Sequence, residues 1–296
     1  MTRLTINRRN YNIKRWGSGL PIVMLHGFTG SVQNWNPIAE RLSRHYQITA
    51  IDILGFGDSD KPQDIESYHM ENIASDLSML LRSLSAAPMH LVGYSMGGRL
   101  ALYMIWRYPQ LFTSATLEST SSGLKTQIER IERAERDNAL ADRIEHEGIE
   151  AFVDFWETLP IWESQQQLSE EIKQQQHQQR LSNDPVGVAN SLRGMGTGVQ
   201  PSLWNDLEDI QIPVQLIAGE QDPKFMRIMG EMYQMLPCSR LNTIADVGHN
   251  THLENPTIYT QHLLEFLDDI ASGQACLDKH DALNTLTPEF KEFIRQ

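Results

Sequence analysis

Residues 92–101 read VGYSMGGRLA. Ser95 stands between Gly93 and Gly97 in the pattern G-x-S-x-G, with an apolar run, PMHLVGYS, leading into it and a helix-spaced run, GGRLALYMIWRYP, leading out to Pro109. A serine at a strand-to-helix turn of this kind is the nucleophile elbow of a parallel α/β sheet. Small flanking residues let the chain bend sharply enough to raise the hydroxyl above the sheet. The first N–H of the helix, that of Met96, has no carbonyl of its own helix to bond and is free to stabilise an oxyanion. The stretch therefore implies a fold as well as a residue. Arg99 is left over, because nothing in the activation of a serine requires an arginine one helical turn further on.

Working outward, strand and helix signals alternate. LTINRRNYNIKRWG (4–17) alternates weakly, as an edge hairpin does. LPIVMLHG (20–27), QITAIDILGFG (47–57) and FTSATLES (112–119) are short apolar runs suited to buried parallel strands. WNPIAERLSRHY (35–46) and MENIASDLSMLLRSL (70–84) have helical spacing. From about residue 122 the pattern changes to helical periodicity with no convincing strand, through TQIERIERAERDNALADRIEHEGIEAFVDFWETL, a Gln-rich but helix-spaced segment, and DPVGVANSLRGMG. Strand signal returns in IPVQLIAGEQD (212–222) and SRLNTIADVGH (239–249), and PTIYTQHLLEFLDDIA (256–271) closes the pattern. The expected architecture is α/β: a mostly parallel sheet flanked by helices. Its core is built from 1–121 and 206–272, a helical cap is inserted over 122–205, and a tail, 273–296, carries a short helix at PEFKEFIRQ.

A serine nucleophile needs a base, and the base needs an orienting acid. In the chain order this fold requires, Asp222 follows one strand and His249 follows the last. Both fall at carboxyl ends of strands, where open α/β sheets gather ligands. Asp52 precedes the serine and Asp58 lies in the turn-like GFGDSD, so both are weaker candidates for the acid. Asp246 reads as a turn residue, and His252, heading into HLENP, as a surface or capping residue. LHGFTGSVQNW offers the N–H of Phe28 as a second oxyanion donor beside that of Met96, with His26 a structural histidine.

The Ser–Asp–His order, the HG motif and the interrupted sheet resemble the α/β-hydrolase fold, over nearly the whole chain to about residue 271. Three further stretches, GYSMGGRLA, LESTSSGLKTQIERIERAERD and ANSLRGMGTGVQPSLW, resemble a narrower group, the 2-succinyl-6-hydroxy-2,4-cyclohexadiene-1-carboxylate synthases of menaquinone biosynthesis. This chain has Ser122 where that group has a proline. The resemblance implies a lyase that eliminates pyruvate from a substrate bearing three carboxylates. It implies that Arg99, Arg133 and Arg180 bind those carboxylates, in the bidentate geometry arginine offers, and that Tyr94 and Trp156 line the site. Without the resemblance, ERIERAERD reads first as a salt-bridged, solvated helix face and only second as a ligand site. A carboxylester or C–C bond hydrolase using the same three residues is the alternative.

Composition narrows the partners. The formal net charge of -13 argues against nucleic acid, and an anionic substrate has to be drawn in by a local positive patch. No apolar run is long enough to span a membrane, and the polar, basic N-terminus is not a secretory signal. Two cysteines, Cys238 and Cys276, without metal-ligand spacing suggest neither a disulfide nor a metal site and point to a reducing cytoplasm. No cofactor is called for, and monomer and homodimer both remain open.

Overall fold

The structure, a computed structural model, describes residues 1–276 of the 296. Its frame is an eight-stranded sheet of β1 (Thr2–Ile6), β2 (Arg9–Trp16), β3 (Leu20–Leu25), β4 (Tyr46–Ile51), β5 (Met89–Tyr94), β6 (Phe112–Glu118), β7 (Val214–Gly219) and β8 (Ser239–Ile244), in the order β1-β2-β4-β3-β5-β6-β7-β8. β1 and β2 form an antiparallel hairpin at one edge and β2 pairs antiparallel with β4; the remaining neighbours are parallel. The hairpin turns at Asn7 and Arg8, both with positive φ (46° and 64°). That is the turn whose hand matches the twist of the flanking strands.

The helices among the described residues are α1 (Asn36–Leu42), α2 (Met70–Leu84), α3 (Met96–Arg107), α4 (Gln127–Glu157), α5 (Glu170–Leu181), α6 (Pro185–Met195), α7 (Pro223–Met235), α8 (Thr251–Glu254) and α9 (Pro256–Ser272). β3 shows why the apolar runs are continuous. Ile22 and Met24 pack on one face with residues of α1 and α9, while Val23 and Leu25 pack on the other with residues of α2, α3 and α7. A strand covered on both faces is apolar at successive positions, not alternate ones. Each such fully buried side chain contributes roughly 1.5–3 kcal/mol relative to exposure.

The helical insertion lies between β6 and β7 and comprises α4, the 3-10 segment Pro160–Gln167, α5 and α6. α4 starts in a capping box of Thr126 with Glu129 and breaks at Gly148 (φ 86°, ψ 175°). The Gln-rich stretch forms most of α5, with Arg180 its buried residue. Ala141, Ile144, Phe152 and Val188 join the insertion to the core on the side of α2 and α3.

One expectation is overturned here. Cys238 and Cys276 are disulfide-bonded, their Cα atoms 5.0 Å apart. The pairing depends on the chain after α9 returning beside the start of β8, which no sequence spacing reveals. The helix expected at PEFKEFIRQ lies outside the described residues. No described helix is long and apolar enough to cross a membrane. No cluster of three or more His, Cys, Asp or Glu side chains among the described residues is placed to hold a metal ion.

Candidate active site

Ser95 caps α3 at the end of β5 with φ 50° and ψ -109°, a conformation that costs a non-glycine residue of the order of 1–3 kcal/mol and persists only where the surroundings impose it. They do so from both sides of the turn. The Ser95 N–H donates to the carbonyl of Glu118 (2.9 Å), and Thr120 Oγ1 donates to the Ser95 carbonyl (2.8 Å). A Cβ on Gly93 would lie 2.7 Å from that of Ala101, and one on Gly97 would collide with the carbonyls of Leu25 and His26. The two glycines of the motif are therefore fixed by close approach of helix to sheet. A Cβ on Gly27 would meet the Tyr94 ring at 2.6 Å and Ser95 Cβ at 3.5 Å. The loop carrying Phe28 thus lies against the serine, across from the start of α3 at Met96.

His249 Nε2 is 3.0 Å from Ser95 Oγ, and His249 Nδ1 is 2.7 Å from Asp222 Oδ2. A carboxylate on Nδ1 fixes the tautomer that leaves Nε2 free to accept the serine proton. Asp222 also caps α7, accepting from the Phe225 N–H at 3.2 Å, so the acid and the start of the helix hold each other. His249 is nearly solvent-free and is ringed by Phe225, Tyr94 and Trp162, with ring centroids 4.6, 5.5 and 5.8 Å away.

A buried carboxylate that the sequence did not single out ties these parts together. Glu118 accepts from Thr251 Oγ1 (2.7 Å), the His252 N–H (3.1 Å) and His252 Nδ1 (2.7 Å), while its backbone carbonyl holds Ser95. His252 is therefore not a surface residue. It is 2% exposed and stacked on Trp35 at 4.4 Å, the first link of the segment that follows His249. Glu118→Ala would strand three buried donors. The expected cost is about 3 kcal/mol, since each unsatisfied group costs about 1–3 kcal/mol and relaxation recovers part of it. The shift of the urea midpoint at unchanged slope measures it, and a loss below about 0.5 kcal/mol would remove Glu118 from this role.

Ser95 and His249 open onto a cavity of about 470 Å³ between the sheet and the insertion. Phe28, Tyr94, Met96, Arg99, Arg133 and Trp156, all marked by the sequence, line it. So do Asp137, Trp162, Lys224 and Phe225, which were not. Arg99 is half-buried and donates Nη1 to the Met195 carbonyl (2.7 Å) and to Gln200 Oε1, both neutral acceptors. Burial, with Arg133 nearby, pulls its pKa down to about 10, so it keeps its charge at neutral pH. Arg133 bonds Asp137 through Nε at 2.8 Å. Burial holds the Tyr94 phenol well above its ordinary pKa, and hence neutral. The indole N–H groups of Trp156 and Trp162 and the Tyr94 hydroxyl are buried without a partner among the described residues.

Arg180 is placed differently from expectation. In this structure it does not line the cavity: Nη1 pairs with Glu157 at 2.8 Å and the guanidinium lies 4.9 Å over the ring of Trp162, a cavity-lining residue that also touches His249, while its charge still acts on the Tyr94 phenol. Of the cap arginines, Arg133 alone among Arg130, Arg133 and Arg136 lines the cavity; Arg130 donates to the Leu124 carbonyl and Arg136 to that of Glu132. The other candidates for the acid lie elsewhere. Asp52 is buried against Asn12 and the Val32 N–H, Asp58 is exposed, and Asp246 occupies a positive-φ turn. His26 accepts the Ile53 N–H on Nε2 and donates Nδ1 to the Gly27 carbonyl, a fully committed neutral ring.

The sequence pattern of the alpha/beta hydrolase fold family matches residues 21–256, and the chain belongs to that family. A chain of Bacillus subtilis (strain 168), provisionally named a 2-succinyl-6-hydroxy-2,4-cyclohexadiene-1-carboxylate synthase, is 45% identical over 249 residues, covering 84% of this chain and 90% of its own. The synthase of that name from Yersinia enterocolitica serotype O:8 is 31% identical over 258 residues, 86% of this chain and 88% of its own. The solved structure of MenH from S. aureus matches with a TM-score of 0.85 at 35% identity, over 88% of this chain and 98% of that one. Within the hydrolase fold, the chain thus falls in the synthase family.

Proposed function

We propose that this chain eliminates pyruvate from 2-succinyl-5-enolpyruvyl-6-hydroxy-3-cyclohexene-1-carboxylate, giving 2-succinyl-6-hydroxy-2,4-cyclohexadiene-1-carboxylate, a step of menaquinone biosynthesis. The observation that carries it, given the family, is the hydrogen-bonded run Asp222–His249–Ser95 opening onto a cavity that also presents Arg99 and Arg133. His249 takes the proton of Ser95, and Ser95 in turn removes the ring proton α to the succinyl ketone. The N–H groups of Phe28 and Met96 stabilise the enolate oxygen. As the enolate collapses, electrons pass through the ring alkene, the C–O bond to the enolpyruvyl group breaks, and the leaving enolate is protonated to pyruvate. Arg99 and Arg133 hold carboxylates of the substrate, with Tyr94 and Trp156 against its ring. The test is incubation with the enolpyruvyl substrate while pyruvate is followed by a coupled dehydrogenase; no pyruvate from folded protein would defeat the proposal.

The same three residues and the strained Ser95 turn suit acyl transfer, so carboxylester or C–C hydrolysis is the second reading. Rapid turnover of a simple aryl ester, with no pyruvate released, would favour it. A cytoplasmic site of action belongs to the first proposal as the setting of a bacterial biosynthetic enzyme. The Cys238–Cys276 bridge is the feature that pulls against a reducing compartment.

Residues 122–205 act in this proposal as a cap that closes over bound substrate. Limited proteolysis is expected to cut the cap at its weak points, such as the break in α4 at Gly148, before the sheet, and saturating substrate is expected to slow the cutting severalfold. A cutting rate indifferent to substrate would count against closure.

A further inference from the structure

We propose that Asn183, assisted by Gln179, is a positioning residue for the oxyanion donor of Phe28: the end of α5 holds the loop after β3 in the turn that carries that N–H. The inference rests on the reading of Phe28 as an oxyanion donor given above and extends it to the cap.

The loop is a strained turn. The Gly30 N–H donates to the Gly27 carbonyl at 3.0 Å, so Phe28 and Thr29 are the central residues. Thr29 has φ 65°. Glycine or asparagine is usual at such a position, and a β-branched residue there is an outlier. It persists only where the surroundings impose it.

Those surroundings come from the insertion. The Thr29 carbonyl accepts from Asn183 Nδ2 at 3.0 Å and from Gln179 Nε2 at 3.1 Å, which uses both of its lone pairs. Asn34 Nδ2 donates to Gln179 Oε1 at 2.8 Å, while Asn34 Oδ1 accepts from Gln179 Nε2 (3.1 Å) and from the Ser31 N–H (2.7 Å). The tether therefore grips the loop on both sides of Gly30. Thr29 and Asn183 are only 4% and 6% exposed, so water is poorly placed to replace the lost donor. Asn183 Nδ2 also meets the carbonyls of Gln179 (3.2 Å) and Arg180 (3.1 Å). With carbonyl oxygens on every side, only the amide nitrogen can face them, which settles the orientation of the side chain. The Phe28 ring adds edge contacts to Trp156 and Phe152 of α4, with centroids 5.3 and 6.1 Å away.

The two oxyanion donors are thus held by different parts of the molecule. The Met96 N–H is fixed by the start of α3 in the core, and the Phe28 loop is held by the cap. Arg180, which the family resemblance marks for a substrate carboxylate, lies on the same turn of α5 as Gln179 and Asn183. A movement of that turn reaches the arginine and the oxyanion loop together. The bland role for Asn183 is to cap the open carbonyls at the end of α5. Gln179→Ala separates the two roles, because it takes a donor from Thr29 and leaves the Asn183 bonds to those carbonyls intact. So does Thr29→Gly, because glycine adopts a positive φ without help.

Wild type, Asn183→Ala, Gln179→Ala and the double variant Asn183→Ala/Thr29→Gly should be compared in steady-state pyruvate release and in the rate at which a neutral alkyl fluorophosphonate labels Ser95. The phosphoryl oxygen of that reagent draws on the same pair of N–H groups, and the reagent carries no carboxylate for an arginine to hold. A displaced donor costs less than the hundredfold or more of a donor removed, so Asn183→Ala should lower kcat about tenfold with KM within about threefold, and slow labelling about tenfold. Gln179→Ala, at a half-buried position, should lower both rates about threefold, and it carries the test if Asn183→Ala fails to fold. Thr29→Gly in the Asn183→Ala background should return most of both rates. Rates of Asn183→Ala within about twofold of wild type would overturn the inference, as would a rise in KM alone, which would place the effect on Arg180. A loss that Thr29→Gly does not recover would leave Asn183 as a helix cap and overturn it too. A wild type that is labelled but releases no pyruvate would defeat the proposed elimination instead, and the labelling rates would still decide the role of Asn183. A wild type that does neither would overturn the inference, since the loop would then serve no oxyanion site.

Discussion

Ser95→Ala and His249→Ala are each expected to cut turnover at least about a hundredfold, the scale of losing a positioned general base. The two substitutions differ in how cleanly they report. Ser95→Ala removes one oxygen that bonds only His249 Nε2 among the described residues, and alanine keeps the Cβ that makes φ 50° a strained angle, so the turn itself should survive. His249→Ala leaves a hole among Phe225, Tyr94 and Trp162 and unpairs Asp222, so part of its effect would be structural. The nearby Thr120 hydroxyl cannot stand in for Ser95, because it is committed to the Ser95 carbonyl. Steady-state pyruvate release, with near-ultraviolet circular dichroism to confirm the fold, makes the measurement. Near-full activity in folded Ser95→Ala would mean that His249 takes the substrate proton directly or that the chemistry lies elsewhere.

What could be read without coordinates was whatever is encoded locally. The elbow is legible because a strand, two glycines, a serine and a helix start occupy ten consecutive residues, and Asp222 and His249 because each ends an apolar run. Glu118 was missed for the opposite reason. It ends β6 as one more polar residue, and its importance comes from bonds to Thr251 and His252, far along the chain. His252 looked like a helix-leading surface residue, yet Trp35 and Tyr94 close over it from two other segments. Lys224 and Phe225 stand beside Asp222 in DPKF, so the signal was present but had no pattern to mark it. Trp162 lies in PIWESQQQ, a 3-10 stretch without the periodicity that reveals a helix face. Arg180 is marked only by family position, and its contacts, Glu157 on Nη1 and the Trp162 ring under the guanidinium, come from segments that no local pattern links to it.

Arg99→Ala is expected to lose roughly 2–4 kcal/mol of transition-state stabilisation, about what a partly desolvated, charge-assisted pair supplies. In kcat/KM that is roughly 30- to 900-fold. Arg99 follows Ser95 by one turn of α3, so both side chains leave the same helix face toward the cavity. In the free protein it bears a cost with no charged partner bonded: its acceptors are the Met195 carbonyl and Gln200 Oε1, and burial has pulled its pKa down. A carboxylate arriving beside Ser95 would relieve that cost, and a neutral acyl group would not. The structural rival is a clasp, since Met195 and Gln200 belong to the end of α6 and the loop after it, and Arg99 could serve only to hold them to the core. The two roles separate on three measurements. A carboxylate role predicts that Arg99→Lys recovers only part of the loss, because the planar fork is gone, that turnover of any small neutral ester the protein cleaves falls much less than pyruvate release, and that the urea midpoint moves little. A clasp predicts a lowered midpoint and equal losses on the neutral ester and the tricarboxylate. That second outcome would leave the elimination without its main electrostatic support at the reacting carbon.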